Sequence, residues 1–238
     1  MAAAEGALPA WRLEFYAPVA SFRDPFFPGL SRCLPIPPPS TVRGLLAAAT
    51  GAPAEPLAFG MAAWADGQGV DAETYHPIDA TGVNPAAGGR VRAGKGGTTV
   101  RNRPFLTGVH LTVWLPGEEG DRIAGAFRRP RWPLRLGRSQ DLVHLQQRTQ
   151  VMLHPAGEAG VVGHALAPDG GHDAPEAFDQ RMAASISTDR RVTRWADYLW
   201  CDVPAGRHPV RDAYLDPGYD DDTDPGLGKG RALWLLAP

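Results

Sequence analysis

Cysteine and lysine are scarce in this chain, and each scarcity removes a class of protein from consideration. The two cysteines among its 238 residues, Cys33 and Cys201, lie far apart and form no Cys-x-x-Cys pair. This spacing argues against a disulfide framework and a zinc knuckle, and we expect two buried free thiols. Only two of the 24 cations are lysines, so chemistry that depends on an amine has few candidates.

Long apolar runs are also missing from the sequence. No run approaches the length that crosses a bilayer, and the first residues lack the basic and apolar regions of a secretory signal. We therefore expect a cytoplasmic protein with no membrane partner. A chain of this length is able to bury a sizeable core without disulfides or metals.

Metal and cofactor motifs are incomplete wherever they begin. Asp220, Asp222 and Asp224 imitate the start of a calcium loop, but Pro225 stands at the required glycine and Arg231 at the required glutamate. The glycine-rich run at 226–230 lacks the spacing and the Ser/Thr of a phosphate-binding P-loop. We expect neither a metal nor a cofactor.

The small net charge of −2 hides an asymmetry along the chain. Residues 1–154 hold sixteen Lys/Arg against twelve Asp/Glu, whereas residues 155–238 hold eight against fourteen. Within 90–103 there are five cations and no acid, and such a basic stripe is what a phosphate backbone responds to. These five are Arg90, Arg92, Lys95, Arg101 and Arg103.

Hydrophobic periodicity predicts an α+β fold. Strands are indicated at 11–16, 57–64, 109–114 and 134–143, and short helices at 41–50 and 120–129. With a basic hairpin between the second and third strands, the order is βαββαβ, the ferredoxin-like order of RNA-recognition folds. We expect this domain to span 1–150 and an acidic, β-rich C-terminal appendage to span 151–238.

The first predicted helix follows a run of three prolines. The prolines hold the backbone before the helix extended, and we expect the Ser40 hydroxyl to cap the first turn. Arg43 falls off the apolar face of this helix, and Gly51 ends it.

The hairpin, at about 86–105, is predicted to be a basic arm. Arg90 and Arg92 are two residues apart, as are Arg101 and Arg103, so each pair points to one side of an extended backbone. A solvated loop is the alternative, but a merely soluble loop would normally mix in acids. The composition favours nucleic acid.

Three motifs together resemble the CRISPR-associated Cas-five family of the RAMP superfamily. They are Ser21-Phe22-Arg23-Asp24-Pro25, the run from Pro37 through Ser40 and Arg43 to Leu46, and the run from Leu136 through Arg138 to Val143. The resemblance implies a non-catalytic RNA-binding subunit of a type I Cascade complex, a ribonucleoprotein used in antiviral defence. Such a subunit caps the 5′ handle of the crRNA, contacts the backbone subunit and the large subunit, and meets target DNA only through the complex. The hairpin occupies the position of the family's thumb.

The resemblance and the basic arm together give the candidate RNA-binding residues. Each residue in the motifs also has a structural alternative: Arg23 could pair with Asp24, Arg43 could be a solvent-facing charge, and Ser40 could act only as a cap. The ten candidates are Ser21, Arg23, Ser40, Arg43, Arg90, Arg92, Lys95, Arg101, Arg103 and Arg138.

Two other functions remain open. A metal-independent endoribonuclease that processes CRISPR precursor RNA needs a general acid and a general base, for which His144 and His154 are the better candidates. A third hypothesis is a ferredoxin-like interaction module that binds no RNA.

Overall fold

The computed structural model describes residues 6–27, 31–75, 99–220, 226 and 229–238. Two helices and eleven strands occur in these ranges. In chain order they are β1 (Leu8–Ala20), α1 (Pro39–Thr50), β2 (Gly60–Tyr75), β3 (Thr99–Pro116), α2 (Gly117–Ala126), β4 (His144–Pro155), β5 (Ala159–Val162), β6 (Ala167–Pro168), β7 (Phe178–Ile186), β8 (Thr193–Trp200), β9 (Gly206–Pro209), β10 (Tyr214–Asp216) and β11 (Arg231–Leu233).

Eight of these strands form one sheet, in the order β2-β3-β1-β4-β10-β11-β5-β9, and β6-β8-β7 form a second. β1 is central and runs antiparallel to both β3 and β4, so that Tyr16 lies opposite His110 on one side and His144 on the other. β11 and β5 are the parallel pair in this sheet. Residues that lie opposite one another in β2, β3, β1 and β4 therefore form rows across the sheet.

Part of the hydrophobic core lies on the face of the sheet against which α2 packs. Leu13 and Phe15 of β1 are buried there, and the Phe15 ring contacts that of Phe127, just after α2, with the centroids 5.2 Å apart. The opposite face is covered near the start of β1 by the C-terminal strands, where the Trp114 indole N–H donates to Asp216 at 2.9 Å. Burial on both faces explains why alternation along these strands is incomplete.

The predicted ferredoxin-like fold class was wrong. Although the first six elements follow the order β, α, β, β, α, β, the protein is mostly β and the sheet curls through eight strands. β4 is not an edge, because β10 pairs with it and β11, β5 and β9 follow. These C-terminal strands are only three or four residues long, too short to show a period of two in sequence. The division of the chain near residue 150 stays a prediction.

Helix α1 begins two residues earlier than predicted and has no side-chain cap. Its N-cap is Pro38, with an extended ψ of 148°, and the Thr41 N–H donates to the Pro38 carbonyl at 2.8 Å. Ser40 lies inside the helix, so the predicted cap was wrong. The end of the helix is as predicted: Gly51 has φ +79° and its N–H donates to the Ala47 carbonyl. No helix among the described residues is long and apolar enough to span a membrane.

The segment predicted as the last core strand, 134–143, is a turn. Gly137 has φ +108°, and the Asp141 N–H donates to the Arg138 carbonyl at 3.1 Å. Only Arg135 and Leu142 form a bridge across it. The strand that pairs with β1 is β4, immediately after this turn.

The two strands before and after the basic arm are much longer than predicted. β2 and β3 pair from Gly60 and Trp114 to Tyr75 and Thr99, and beyond Leu106, where the pairing of β3 with β1 ends, they form a two-stranded ribbon. Arg101 and Arg103 belong to β3. The three other cations of the arm, Arg90, Arg92 and Lys95, lie outside the described residues.

Candidate nucleic-acid interface

An open cavity of about 540 Å³ lies where the loop after β1, the start of α1, the β2–β3 ribbon and the turn before β4 meet. We call it the arginine cavity. Four of the ten sequence-predicted residues line it, from three distant parts of the chain: Ser21, Arg23, Arg103 and Arg138. Its other lining residues are Phe22, Pro38, Thr41, Glu73, Thr74, Gly137, Ser139 and Gln140.

Arg138 is held in place by Asp141, which is buried at the base of the turn. The guanidinium Nη2 of Arg138 lies 3.0 Å from one oxygen of Asp141, and its Nε lies 3.1 Å from both. The other carboxylate oxygen accepts from the backbone N–H groups of Ser21, at 3.0 Å, and of Arg138, at 2.9 Å. Hydrogen bonding to Asp141, together with that to Glu73, raises the pKa of Arg138 above its ordinary value.

Gly137 allows the turn to approach the loop after β1 closely. A Cβ at this position would lie 2.8 Å from the Ser21 carbonyl oxygen and 3.0 Å from a carboxylate oxygen of Asp141, and φ is +108°. Both constraints require glycine. The turn and the Ser21 loop are therefore joined without space for a side chain.

The arginines of the ribbon face acids on the paired strand. Arg101 lies opposite Glu73 in the register, and Arg103 lies opposite Asp71. The Nε of Arg103 donates to Glu73 at 2.9 Å, and Nη1 of Arg138 donates to the other oxygen of Glu73 at 2.8 Å. Burial acts to raise the pKa of Glu73, but the hydrogen bonds from Arg138 and Arg103 outweigh it, and the pKa lies below its ordinary value.

Ser21 and Arg23 have different environments. Ser21 is buried, and its hydroxyl donates to the Pro104 carbonyl at 2.8 Å, which ties the loop to the ribbon. Arg23 is exposed and forms a bridge with Cys33 through its backbone. Asp24 is buried and pairs with Arg32 at 3.6 Å. Arg23 is thus the lining arginine that presents its side chain most openly to solvent.

The sequence model described as "CRISPR-associated protein (Cas_Cas5)" matches residues 11–192, which is well over half of the chain. The chain belongs to the Cas-five family. The resemblance drawn from the three motifs is confirmed, and all three motifs fall within the matched range.

Solved structures of CRISPR proteins are similar to this Cas-five chain. One described as "CRISPR RNA-guided surveillance complex" is 20% identical, with a TM-score of 0.53, covering 84% of this chain and 91% of that chain. A crystal structure of a CRISPR protein from Archaeoglobus fulgidus is 12% identical, with a TM-score of 0.49, covering 95% and 99%. Among curated proteins none matches.

Two predicted residues of the Cas-five motifs lie away from the arginine cavity. Ser40 is half-buried in α1 and does not line it. Arg43 is buried, and burial lowers its pKa. Its guanidinium donates to four backbone carbonyls, those of Glu55, Leu57, Ala184 and Leu236, at 2.6 to 3.3 Å. The alternative that Arg43 is a solvent-facing charge was wrong, because α1 packs against β7 and the Arg43 guanidinium reaches the C-terminal segment at Leu236.

The two histidines considered for catalysis lie at opposite ends of one strand. His144 begins β4 and is exposed, whereas His154 is ten residues further along and half-buried. Ten residues of extended strand span about 33 Å, too far for both to act on one phosphate. Within the described ranges, no group of three or more His, Cys, Asp or Glu side chains is placed to hold a metal ion.

Sequence reasoning missed the carboxylates that pair with Arg138, namely Asp71, Glu73 and Asp141. Asp141 stands three residues after Arg138, within a quoted motif, but a strand prediction separates such residues. Asp71 and Glu73 are two residues apart, the same spacing as Arg101 and Arg103 across the hairpin. That matched spacing was the available signal, and pairing the two halves of the hairpin would have found it.

Proposed function

We propose that this Cas-five chain is a subunit of a CRISPR effector complex that binds the 5′ handle of the crRNA at the arginine cavity. Family membership supports the assignment to a CRISPR effector complex, and one observation supports the position of the RNA-binding site. Residues that are predicted from separate motifs and from the basic arm, namely Ser21, Arg23, Arg103 and Arg138, line a single open cavity.

The chemistry of the cavity suits a phosphate backbone. Arg23 and Arg103 both line the cavity, Arg23 is exposed, and Arg103 donates to Glu73 through its Nε. Arg138 is committed to Asp141 and Glu73 and acts as a positioning residue that holds the turn. Pro38 and Thr41 bring the start of α1 to the cavity, and a helix N-terminus favours an anion.

The proposed partners are those that membership of the Cas-five family implies, and the position of the ribbon supports a role for the arm among them. The β2–β3 ribbon leads from the arginine cavity into the arm that carries Arg90, Arg92 and Lys95, so RNA held in the cavity is adjacent to the base of the arm. We propose that the arm contacts the first backbone subunit, that another surface contacts the large subunit, and that target DNA is reached through the complex. The subunit performs no chemistry in this proposal, and the separation of His144 from His154 counts against the endoribonuclease alternative.

Binding of single-stranded RNA at several salt concentrations tests the proposal. Each phosphate contact contributes about −0.7 to the slope of log affinity against log salt for a single strand. We expect Arg23→Ala and Arg103→Gln each to weaken binding and to reduce the slope by roughly that amount. The matched control is Arg207→Ala, because Arg207 is exposed on β9, at the opposite edge of the sheet from β2.

Two results would contradict this assignment. Equal effects of Arg207→Ala and Arg103→Gln would mean that RNA responds to overall charge and not to the cavity. RNA that copurifies with the assembled complex should also begin at one defined nucleotide, and loss of Arg23 should reduce its yield; random RNA ends would argue against handle binding.

A further inference from the structure

A second cavity, of about 500 Å³, lies beside the arginine cavity and differs from it in chemistry. We call it the aromatic cavity, because the side chains of Phe105, Phe178 and Trp200 line it. It is bounded by the β2–β3 ribbon on one side and by the three-stranded sheet on the other. Its volume is within the range of small-molecule sites, which is about 300–1,000 Å³.

The two cavities are separated by a thin wall. The loop after β1 folds into a pair of extended segments, in which the Leu34 N–H donates to the Phe22 carbonyl at 2.7 Å. Ser21, which lines the arginine cavity, donates its hydroxyl to the carbonyl of Pro104, which lines the aromatic cavity. A ligand of nucleotide length that occupies one cavity is therefore close to the other.

The rings of the aromatic cavity are fixed in position. Phe105 lies over Gly69 of the paired strand, so closely that a Cβ on Gly69 would be 2.7 Å from the ring. The Trp200 indole N–H donates to the Ala63 carbonyl at 3.0 Å, which ties β8 to β2. Phe178, opposite Trp200 in the register, is 54% exposed, with the ring centroids 6.4 Å apart. Phe178 therefore presents an exposed ring at a cavity whose other two rings, Phe105 and Trp200, are more deeply buried and held in place.

The rim of the aromatic cavity carries groups that both donate and accept hydrogen bonds. Gln68 and Gln180 have amide side chains, Arg32 has a donor, and Asp202 has an acceptor. A nucleobase edge presents donors and acceptors together, and its faces stack on aromatic rings. In the arginine cavity the one aromatic lining residue, Phe22, is buried, so that cavity provides charge but no exposed ring.

We propose that the aromatic cavity binds one unstacked base of the same RNA strand whose phosphates lie at the arginine cavity. This inference rests on the proposed function, since it assigns the base of a strand that the arginines hold. The two neighbouring cavities match the two parts of a nucleotide, the anionic phosphate and the flat base. Phe178 supplies the stacking surface, and the Gln68 and Gln180 amides bind the base edge.

Fluorescence anisotropy with the full chain tests this assignment, using an oligoadenylate and an abasic strand of the same length as probes. We expect Phe178→Ala to weaken oligoadenylate binding by roughly 5- to 100-fold, from the usual contribution of one base–aromatic stack. Phe178→Tyr keeps the ring and should bind as the wild type does. Ile186→Ala is the matched control, because Ile186 lies on the same strand and is 48% exposed but does not line the cavity.

The abasic strand separates stacking from other effects. It should bind the wild type more weakly than oligoadenylate does, and Phe178→Ala should not weaken it further. An equal loss for both strands, or no loss for oligoadenylate, overturns the inference. A single 2-aminopurine in the strand gives a direct signal, since its fluorescence should be quenched by the wild type and not by Phe178→Ala.

Failure of this inference is distinguishable from failure of the proposed function. If Arg103→Gln weakens RNA binding with a smaller salt slope while Phe178→Ala changes nothing, the arginine cavity stands and the base site is wrong. If Phe178→Ala leaves RNA binding intact but reduces copurification of partner subunits, the aromatic cavity is a protein-docking surface instead. If the wild type shows no salt-dependent RNA binding, both proposals fall together.

Discussion

Replacing Asp141 by asparagine keeps the shape of the side chain and removes its charge. The Asp141 side chain is 2% exposed and accepts hydrogen bonds from two backbone N–H groups and from the Arg138 guanidinium. Asparagine has one oxygen. If it stays with the Ser21 and Arg138 N–H groups, its amide nitrogen faces the guanidinium, and two donors oppose each other.

The contacts of Asp141 set the decrease in the free energy of unfolding that we expect for Asp141→Asn. Removing one partner of a buried ion pair costs about 3–5 kcal/mol, and a hydrogen bond to a charged group contributes about 1.5–3 kcal/mol. Because Arg138 keeps Glu73 and the backbone bonds survive, we expect a loss of roughly 2–4 kcal/mol. In a chain of this size each kcal/mol lowers Tm by about 2–4 °C, which gives a decrease of roughly 4–16 °C.

Chemical denaturation with a matched substitution tests this expectation. Asp197→Asn makes the same change in an ion pair with Arg181 in which both side chains are 56% exposed. It should cost under about 0.5 kcal/mol. If Asp141→Asn and Asp197→Asn lower the free energy of unfolding equally, burial of the Asp141–Arg138 pair does not anchor the turn, and the reasoning fails.

Two further perturbations concern the pH response of the cavity and the role of Arg43. Because the pKa of Glu73 is lowered in the folded protein, its contribution to stability is present above the unfolded pKa, near 4.5, and is lost as pH falls through the lower folded pKa. Glu73→Gln should therefore lower the free energy of unfolding at neutral pH, and in acid the variant should be as stable as the wild type. A difference in stability that does not change with pH would refute this. Arg43→Met leaves four carbonyls without their donor and should lower the free energy of unfolding by about 3–5 kcal/mol, whereas RNA affinity per folded molecule should be unchanged; a lower affinity in the fully folded variant would return Arg43 to the interface.

The sequence predicted the local elements that have strong patterns and missed the sheet that connects them. Leu45 and Leu46 are buried as the period of α1 requires, and Gly51 ends the helix. The extent of the sheet depends on β10, β11, β5 and β9, whose short lengths carry no periodic signal. Their place beside β4 is fixed by tertiary pairing, which single-sequence patterns do not contain.

The sequence motifs predicted only part of the candidate site. Ser21, Arg23, Arg103 and Arg138 line one cavity, whereas Arg43 belongs to the same helix motif and is buried. An arginine next to an apolar stripe has the same sequence pattern whether its side chain lines a cavity or is buried. The difference is that Arg43 packs against β7, the C-terminal segment and the segment that follows α1, which together bring four carbonyls to its guanidinium.

The balance of charge in the arginine cavity limits how tightly it binds RNA alone. Asp71, Glu73 and Asp141 lie among the arginines, so a phosphate that approaches Arg138 must compete with carboxylates already in place. In the proposed interface Arg23 and Arg103 contribute two phosphate contacts, and two such contacts give only a shallow salt dependence. Strong retention of a handle requires further contacts, which in this proposal come from the cations of the arm and from a base in the aromatic cavity. In this proposal the cavity sets where the RNA terminus lies, and the surrounding contacts set how long it stays.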